Sequence, residues 1–341
     1  TIILQFSKSI QVELICFMLN NTYNGNMLKH AFLLLSACFH LHSQDSYKIA
    51  LGSCLHQDHP VPIWNAVKEN NINSFFFLGD NIYGDVPSGL PWKLKPSYDK
   101  QKKVLPSWLM SKEIHVIWDD HDYGKNDGGG SYRFKEYAQS LYIDFWGINN
   151  NDPRANREGI YYQRLQNING LKVLFIGLDT RYFRSNLVKK DDVYLPNLEP
   201  DATFLGDKQW EWLKDTLSQE HDLLILASSI QVLATEHRFE KWSNIPSERK
   251  KLLTLLESLD SRVIIVSGDR HRAGLYQYNG ITEITASSLN RPTYSEETDS
   301  LLLGKTYTEN NFGLISINNN NVEISVINVN NQTLESIILE V

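Results

Sequence analysis

Phe75-Phe-Phe-Leu-Gly-Asp-Asn-Ile-Tyr83 joins an unbroken apolar run to a glycine, a carboxylate and a phenol. Four apolar residues with no polar interruption predict a strand buried on both faces, as in a parallel sheet covered on each side. Gly79 then ends the strand where the backbone must turn with no side chain in the way. Asp80 stands just past the strand end, and Tyr83 follows three residues later. Ligands of open α/β sheets bind beyond the carboxyl ends of strands, so a site is expected here. Val116-Ile-Trp-Asp-Asp-His-Asp122 and Val263-Ile-Ile-Val-Ser-Gly-Asp-Arg-His271 repeat the design. Three apolar strands thus each deliver hard oxygen or imidazole donors from one end, which is the layout of a metal site.

A chain of 341 residues with 42% hydrophobic and 11% aromatic content has ample material for a packed core, in one large domain or two smaller ones. The net charge of −7 argues against a general polyanion binder, since nucleic-acid affinity rests on an excess of Lys and Arg over a broad face. An anionic substrate must therefore be drawn by a local positive site. Cys16, Cys38 and Cys54 cannot build a disulfide framework.

Residues 1–26 show no periodic pattern, and the chain starts at Thr1 rather than Met; they read as a non-native upstream extension. From Met27 a basic stretch, the apolar run Ala31–Phe39 and Ser43 describe a secretory signal over 27–43. Leu35-Ser36-Ala37-Cys38 also resembles a bacterial lipobox, so lipidation of Cys38 competes with cleavage near Ser43, and a buried element of the domain is the third reading. The expected location is secreted, periplasmic or outer-surface, with a lipid anchor if Cys38 is the modified residue. The run is too short to span a bilayer.

Residues 45–341 read as a single domain. Tyr47–Ser53 is the first strand and 61–71 a connecting helix into the Phe75 strand, which makes a βαβ unit and predicts a parallel pair. Residues 97–112 and 132–146 carry helical spacing around the Val116 strand. Strands follow at Gly159–Tyr162, Lys172–Asp179 and Leu223–Ala227. Asp207 and Ser247 are expected to cap helices that carry Trp210, Leu213 and Leu217, and Leu252 through Leu259. The loop 182–203 reads as polar and irregular. The tail, from Thr282 onward, is strand and turn with Asn-rich hairpins.

Asp80, Tyr83, Asp120, Asp269 and His271 are what two adjacent cations require. Oxygen donors favour Ca²⁺, Mg²⁺ or Mn²⁺, while phenolate and imidazole suit trivalent iron. Such a pair can clamp a phosphate ester and activate a water, and His121 can protonate the leaving group. Asp119 and Asp122 flank the better ligands, and one of them is expected to cap or pair with a base. Asn126 and Asp127 are turn residues within reach of an additional Ca²⁺. Arg181 and Arg133 either bind substrate phosphate or pair with carboxylates of the site. His56, His59, His115 and His237 receive no role beyond surface or rim.

Gly79-Asp-Asn-Ile-Tyr83, Trp118-Asp-Asp-His-Asp122, Leu178-Asp-Thr-Arg-Tyr-Phe-Arg184, Ser229-Ile-Gln231 and Ser267-Gly-Asp-Arg-His271 together resemble, in order and over about residues 47–317, the PhoD-type alkaline phosphatases of the calcineurin-like metallophosphoesterase superfamily. The resemblance implies a four-layer α/β/β/α sandwich with an Fe³⁺ and Ca²⁺ centre, or other divalent metals. It further implies hydrolysis of small phosphomonoesters or phosphodiesters by in-line attack of a metal-activated hydroxide. By the same resemblance Asp80 would bridge the metals and Tyr83 would ligate Fe³⁺. Cys54 would be a ligand where the wider superfamily places an Asp, and Asp120 and His121 would fall on its Asn-His pair. Asp269 and His271 would fall on its Gly-His-x-His motif. The wider superfamily's middle histidine is replaced here by Ser228, Ser229 and Gln231, which speaks against a zinc-type second site. The alternative from another class is a non-catalytic, metal-stabilised extracellular binding module on the same scaffold.

Overall fold

Alternation within the apolar runs divides the chain into layers. In the computed structural model, which describes residues 46–341, β5 (Leu171–Gly177), β8 (Leu223–Ser228) and β9 (Arg262–Ser267) send successive side chains to opposite faces. Leu174, Ile176, Leu224, Leu226, Val263 and Ile265 face outward into one core with Trp210 and Leu213 of the helix Gly206–Leu217 and Leu252 and Leu256 of the helix Pro246–Glu257. Val173, Phe175, Leu223, Ile225, Ile264 and Val266 face inward, into a second core shared with another sheet.

That other sheet is built on β1 (Tyr47–Gly52), β2 (Ser74–Leu78) and β3 (Glu113–Ile117), all parallel. Every residue of β2 is buried, as its uninterrupted apolar sequence predicts. Phe75 and Phe77 turn outward onto Trp64 and Trp146 of flanking helices, at ring distances of 5.6 and 4.9 Å. Phe76 turns inward and meets His115, which stacks on Phe175 of the opposite sheet and is thus buried between the sheets rather than at the expected surface or rim. The result is helix, sheet, sheet, helix.

β13 (Asn311–Ile317), β14 (Asn321–Asn328) and β15 (Thr333–Glu340) extend the first sheet antiparallel beside β1, giving the order β15-β14-β13-β1-β2-β3. The second sheet runs β12-β10-β11-β9-β8-β5-β4. Its remaining strands are β4 (Tyr162–Ile168), β10 (Ala273–Tyr278), β11 (Ile281–Ala286) and β12 (Leu302–Tyr307). Several local expectations shift. The strand anticipated at 159–162 begins at Tyr162, and the loop 182–203 contains a small hairpin of β6 (Val188–Lys190) and β7 (Val193–Leu195). Asp207 and Ser247 sit inside their helices, whose N-caps are Leu205 and Ile245, because Gly206 and Pro246 begin the helical turns one residue earlier. Residues 1–45, with the signal and lipobox readings, lie outside the described residues. No helix among the described residues is long and apolar enough to cross a membrane.

Register decides where the site falls. Gly52 pairs with Phe77 and Leu78 with Ile117, so β1, β2 and β3 stop at one level; Ser228 pairs with Ser267, so β8 and β9 also stop together. The two sets of ends meet because Ser53 donates its N–H to the Ala286 carbonyl at 3.1 Å and accepts from Leu289 at 3.0 Å. Gly268 permits the approach: a Cβ there would lie 2.5 Å from Ser53 Oγ and 3.0 Å from the Leu78 carbonyl oxygen. Gly79 is equally constrained. Its φ is +98°, and a Cβ would lie 2.5 Å from Asp119 Cβ and 2.8 Å from its backbone nitrogen. Gly79→Ala is therefore expected to cost about 3 kcal/mol, through a left-handed backbone and overpacking against main chain. The check is urea denaturation, as a lower midpoint at unchanged slope.

Candidate metal centre

The residues past these strand ends adopt backbone conformations that side chains rarely take. Cys54 (φ 58°), Asp80 (φ 50°), Asp269 (φ 66°) and His271 (φ 55°) are all left-handed. Such strain persists where surrounding structure over-determines it, and here it turns four donor side chains into one space. Cys54 Sγ lies 3.5 Å from Asp80 Oδ2 and 3.4 Å from Ser287 Oγ. The Tyr83 hydroxyl donates to Asp80 Oδ2 at 3.2 Å and lies 3.2 Å from His271 Nε2. Thiol, carboxylate, phenol and imidazole thus form one donor group.

A second group of carboxylates adjoins it. Donor atoms of Asp80, Asp120 and His121 lie within 4.8 Å of one another, as do those of Asp119, Asp120 and Asp269, while Cys54, Asp80 and His271 satisfy the same distance in the first group. Asp80 is common to both groups. Asp120 Oδ2 accepts the Asp127 N–H at 2.7 Å, but Asp120 Oδ1 and Asp119 Oδ2 are buried with no hydrogen-bond partner among the described residues. Asp269 Oδ2 has only a 3.5 Å ion pair to Arg270. Buried carboxylate oxygens without donors are costly unless a cation or proton meets them.

The protonation equilibria carry the same message. Burial pushes the Asp80 carboxyl well above its usual range, against the nearby His121, and the charges of Cys54, Asp120 and Asp119 push it further. Asp119 is raised by burial too, and Asp269 to about 7. Burial lifts the Cys54 thiol to about 11 and holds the His271 imidazole down at about 3. Only Asp120 goes the other way: burial opposes its ionisation, but His121, Arg181 and the Asp127 N–H outweigh it. Asp80, Asp119, Asp269 and Cys54 cannot all ionise together unless positive charge enters among them; a bound cation would bring these acids back down and would keep the His271 imidazole neutral, the form that ligates. The donor set fits two ions: Cys54, Asp80, Tyr83 and His271 would hold one of softer or trivalent character, and Asp120, which is clustered with Asp80 on one side and with Asp119 and Asp269 on the other, would hold a hard divalent one with them.

Arg181 is bound to a carboxylate of this space. Its guanidinium is fully buried, donates Nε to Asp119 Oδ1 at 2.6 Å and pairs with Glu240, which Arg184 also engages. Arg184 reaches the carbonyls of Asp127 and Gly128 at 2.6 and 3.0 Å, folding the glycine-rich loop onto the network. Of the two roles open to Arg181, its geometry supports pairing with carboxylates. Arg181→Met is expected to cost about 3–5 kcal/mol, because it leaves buried charges unpaired. Chemical denaturation of the variant checks this, and a loss under 1 kcal/mol, the scale of an exposed pair, would contradict it. Arg133 is exposed and packs over Phe134 at 4.6 Å. Asp122 has a structural task, since its carboxylate accepts the N–H groups of Asn81 and Asp119 at 3.0 and 3.1 Å.

His121 lies beside the donors, its ring 4.2 Å from that of Tyr83. Nδ1 contacts Asp85 Oδ1 at 2.6 Å, which leaves Nε2 as the free nitrogen. Although burial opposes the charge, Asp120, Asp80 and the Asp85 hydrogen bond hold the imidazole well above its usual range. Asp85 was not singled out from sequence; the available signal was a second aspartate two residues beyond Tyr83 in the same loop. Glu240 was also missed, as was His56, which stacks on Tyr83 at 4.8 Å. Neither carries a local signal. Where the superfamily's middle histidine would stand, Ser229 donates to Asp119 and contacts Thr180 Oγ1 at 2.7 Å, and Gln231 donates to Thr285 at 2.8 Å.

Comparison with known proteins bears on the family and the fold. The profile of the PhoD-like phosphatase family matches residues 109–335. Among solved structures, that of PhoD superposes with a TM-score of 0.66 at 16% identity, over 87% of this chain and 68% of that one. GAP50, the anchor in the inner membrane complex of Plasmodium, superposes with a TM-score of 0.63 at 18% identity, over 87% of this chain and 90% of that one. At such identities the likeness speaks for the fold alone. No curated protein matches the sequence.

Proposed function

The chain belongs to the PhoD-like phosphatase family, and on that footing we propose that it is a metal-dependent phosphoric ester hydrolase acting on small phosphomonoesters, phosphodiesters or both. The observation that carries the reading is Asp80, shared by the cluster with Cys54 and His271, which joins the ends of both sheets, and by the cluster with Asp120 and His121. We propose Fe³⁺ for the group of Cys54, Asp80, Tyr83 and His271, and Ca²⁺ for the group of Asp80, Asp120 and Asp269, other divalent ions being substitutes in the latter. Bound there, the ions supply charge neutralisation for the phosphoryl group and a lowered pKa for water.

The residues of the chain do the rest. His121, held by Asp85, keeps a proton ready at Nε2 for the leaving oxygen. Arg181 and Arg184 balance Asp119 and Glu240, so that the carboxylates facing the substrate keep their positions. The signal reading of 27–43 proposes work outside the cytoplasm, lipid-anchored if Cys38 is modified. The rival is a metal-stabilised extracellular binding module without turnover, which would use the same donor atoms but for which the Asp85–His121 pair has no evident use.

Two measurements test the proposal. Protein purified without chelators, assayed on aryl phosphates and bis-aryl phosphates with added Ca²⁺ and iron, is expected to turn over at least one class; no hydrolysis of either favours the module. Elemental analysis is expected to find iron and calcium, with a visible phenolate band that Tyr83→Phe removes. Another metal pair at full occupancy would overturn that assignment.

A further inference from the structure

The cations around the metal centre are mostly spoken for. Arg181 and Arg184 meet Asp119 and Glu240, and Arg270 and Arg272 meet Glu297. Arg291 differs. It is partly buried, it meets no carboxylate among the described residues, and its guanidinium carbon sits 4.4 Å from the centroid of the Tyr83 ring. A guanidinium that rests on a π face keeps its N–H fork available for a planar or tetrahedral oxyanion.

Arg291 is also held in place. The side chain of the preceding Asn290 accepts the His56 N–H at 2.7 Å and donates to the carbonyls of His56 and His59 at 2.9 and 3.3 Å. Two residues beyond, the Thr293 N–H donates to the His271 carbonyl at 3.1 Å. The loop after β11 is thereby bolted to the segment that follows Cys54 and to His271, and it carries Arg291 to the rim of the donor group. A chain of net charge −7 whose site collects Asp80, Asp119, Asp120 and Asp269 needs such a cation to draw an anionic substrate.

We propose that Arg291 is the binding residue for the non-bridging oxygens of the substrate phosphoryl group, and that it sets a preference for phosphomonoester dianions over diester monoanions. This rests on the phosphoesterase reading above. A dianion carries twice the charge toward the guanidinium. A diester replaces one of the oxygens that the fork can engage with an ester oxygen, a poorer acceptor.

The test uses the metal-loaded protein, with Arg291→Gln and Arg291→Lys beside it. For Arg291→Gln, kcat/KM on an aryl phosphate is expected to fall about 10–100-fold, the scale of a lost charge-assisted hydrogen bond. On a bis-aryl phosphate the fall is expected to be several-fold smaller. Inhibition by inorganic phosphate should weaken in parallel with the monoester loss, metal content by elemental analysis should stay unchanged, and Arg291→Lys should recover part of the difference. Equal losses on both esters, or phosphate inhibition as strong as in the parent, overturn the proposal. Loss of metal from Arg291→Gln also overturns it, by assigning Arg291 to support of the Tyr83 ring. If the parent hydrolyses neither ester, the phosphoesterase reading falls by itself, and calorimetric binding of inorganic phosphate still decides on Arg291: binding lost in Arg291→Gln supports the anchor, and equal binding refutes it.

Discussion

Asp80→Asn is expected to remove hydrolysis almost entirely and to empty both halves of the donor cluster at once. The substitution keeps the shape of the side chain and an acceptor for the His121 N–H, which lies 3.4 Å from Asp80 Oδ1. What it removes is the charge common to the two groups. A neutral amide bridges two cations poorly, so a loss of about a thousandfold or more in kcat is expected, the scale of removing a principal electrostatic stabiliser. Asp269→Asn serves as the contrast. It touches the carboxylate group alone, and iron should remain while calcium is depleted. Elemental analysis of the two variants next to the parent makes the comparison, and full retention of both metals in Asp80→Asn would sink the bridging assignment.

His121→Ala is expected to lower kcat by about 10²–10⁴-fold, the range of a lost general acid, while both metals stay bound. The loss should depend on the leaving group, large for alkyl phosphates and small for nitrophenyl esters, whose leaving oxygen departs without a proton. A uniform loss across leaving groups would mean that His121 only positions substrate. Asp85→Asn separates the partner from the acid, and about a 10–100-fold loss is expected, as for other residues that orient a reacting group through one hydrogen bond. The sign of its pH effect follows from the charge. The Asp85 carboxylate, together with Asp120 and Asp80, holds the His121 proton well above the usual imidazole range. With His121 in the proposed role of acid, activity is expected to fall as pH rises through that pKa, and the basic limb of the profile should move to lower pH in Asp85→Asn. An unmoved limb would leave Asp85 with a packing role only.

Much of the fold was legible because it rests on short-range pattern. The unbroken apolar run of β2 leaves no face for water, and the spacing from β1 through 63–69 to β2 admits a right-handed crossover, so a parallel pair was readable before any contact was known. The small corrections are of the kind that one residue's backbone decides. Gly206 and Pro246 start their helices earlier than the polar side chains at 207 and 247 suggest. The β6–β7 hairpin escaped notice because its strands are three residues each and lack alternation of apolar and polar residues.

Reading along the chain is enough to say which donors stand past which strand ends: Cys54 after β1, Asp80 after β2, Asp120 and His121 after β3, Asp269 and His271 after β9. That information is local, because a strand's end and the residue beyond it are neighbours in the chain. Which charges are committed depends on contacts between elements far apart in the chain. Arg181 is closed off by Asp119 and by Glu240, far along the chain, whereas Arg291, which carries no motif, stands over Tyr83 with no carboxylate partner among the described residues. The reason is physical. Register and the close approach of Gly268 to Ser53 bring two sheets' ends together, and pairing energy depends on distance and burial across that seam, quantities to which no spacing along the sequence corresponds.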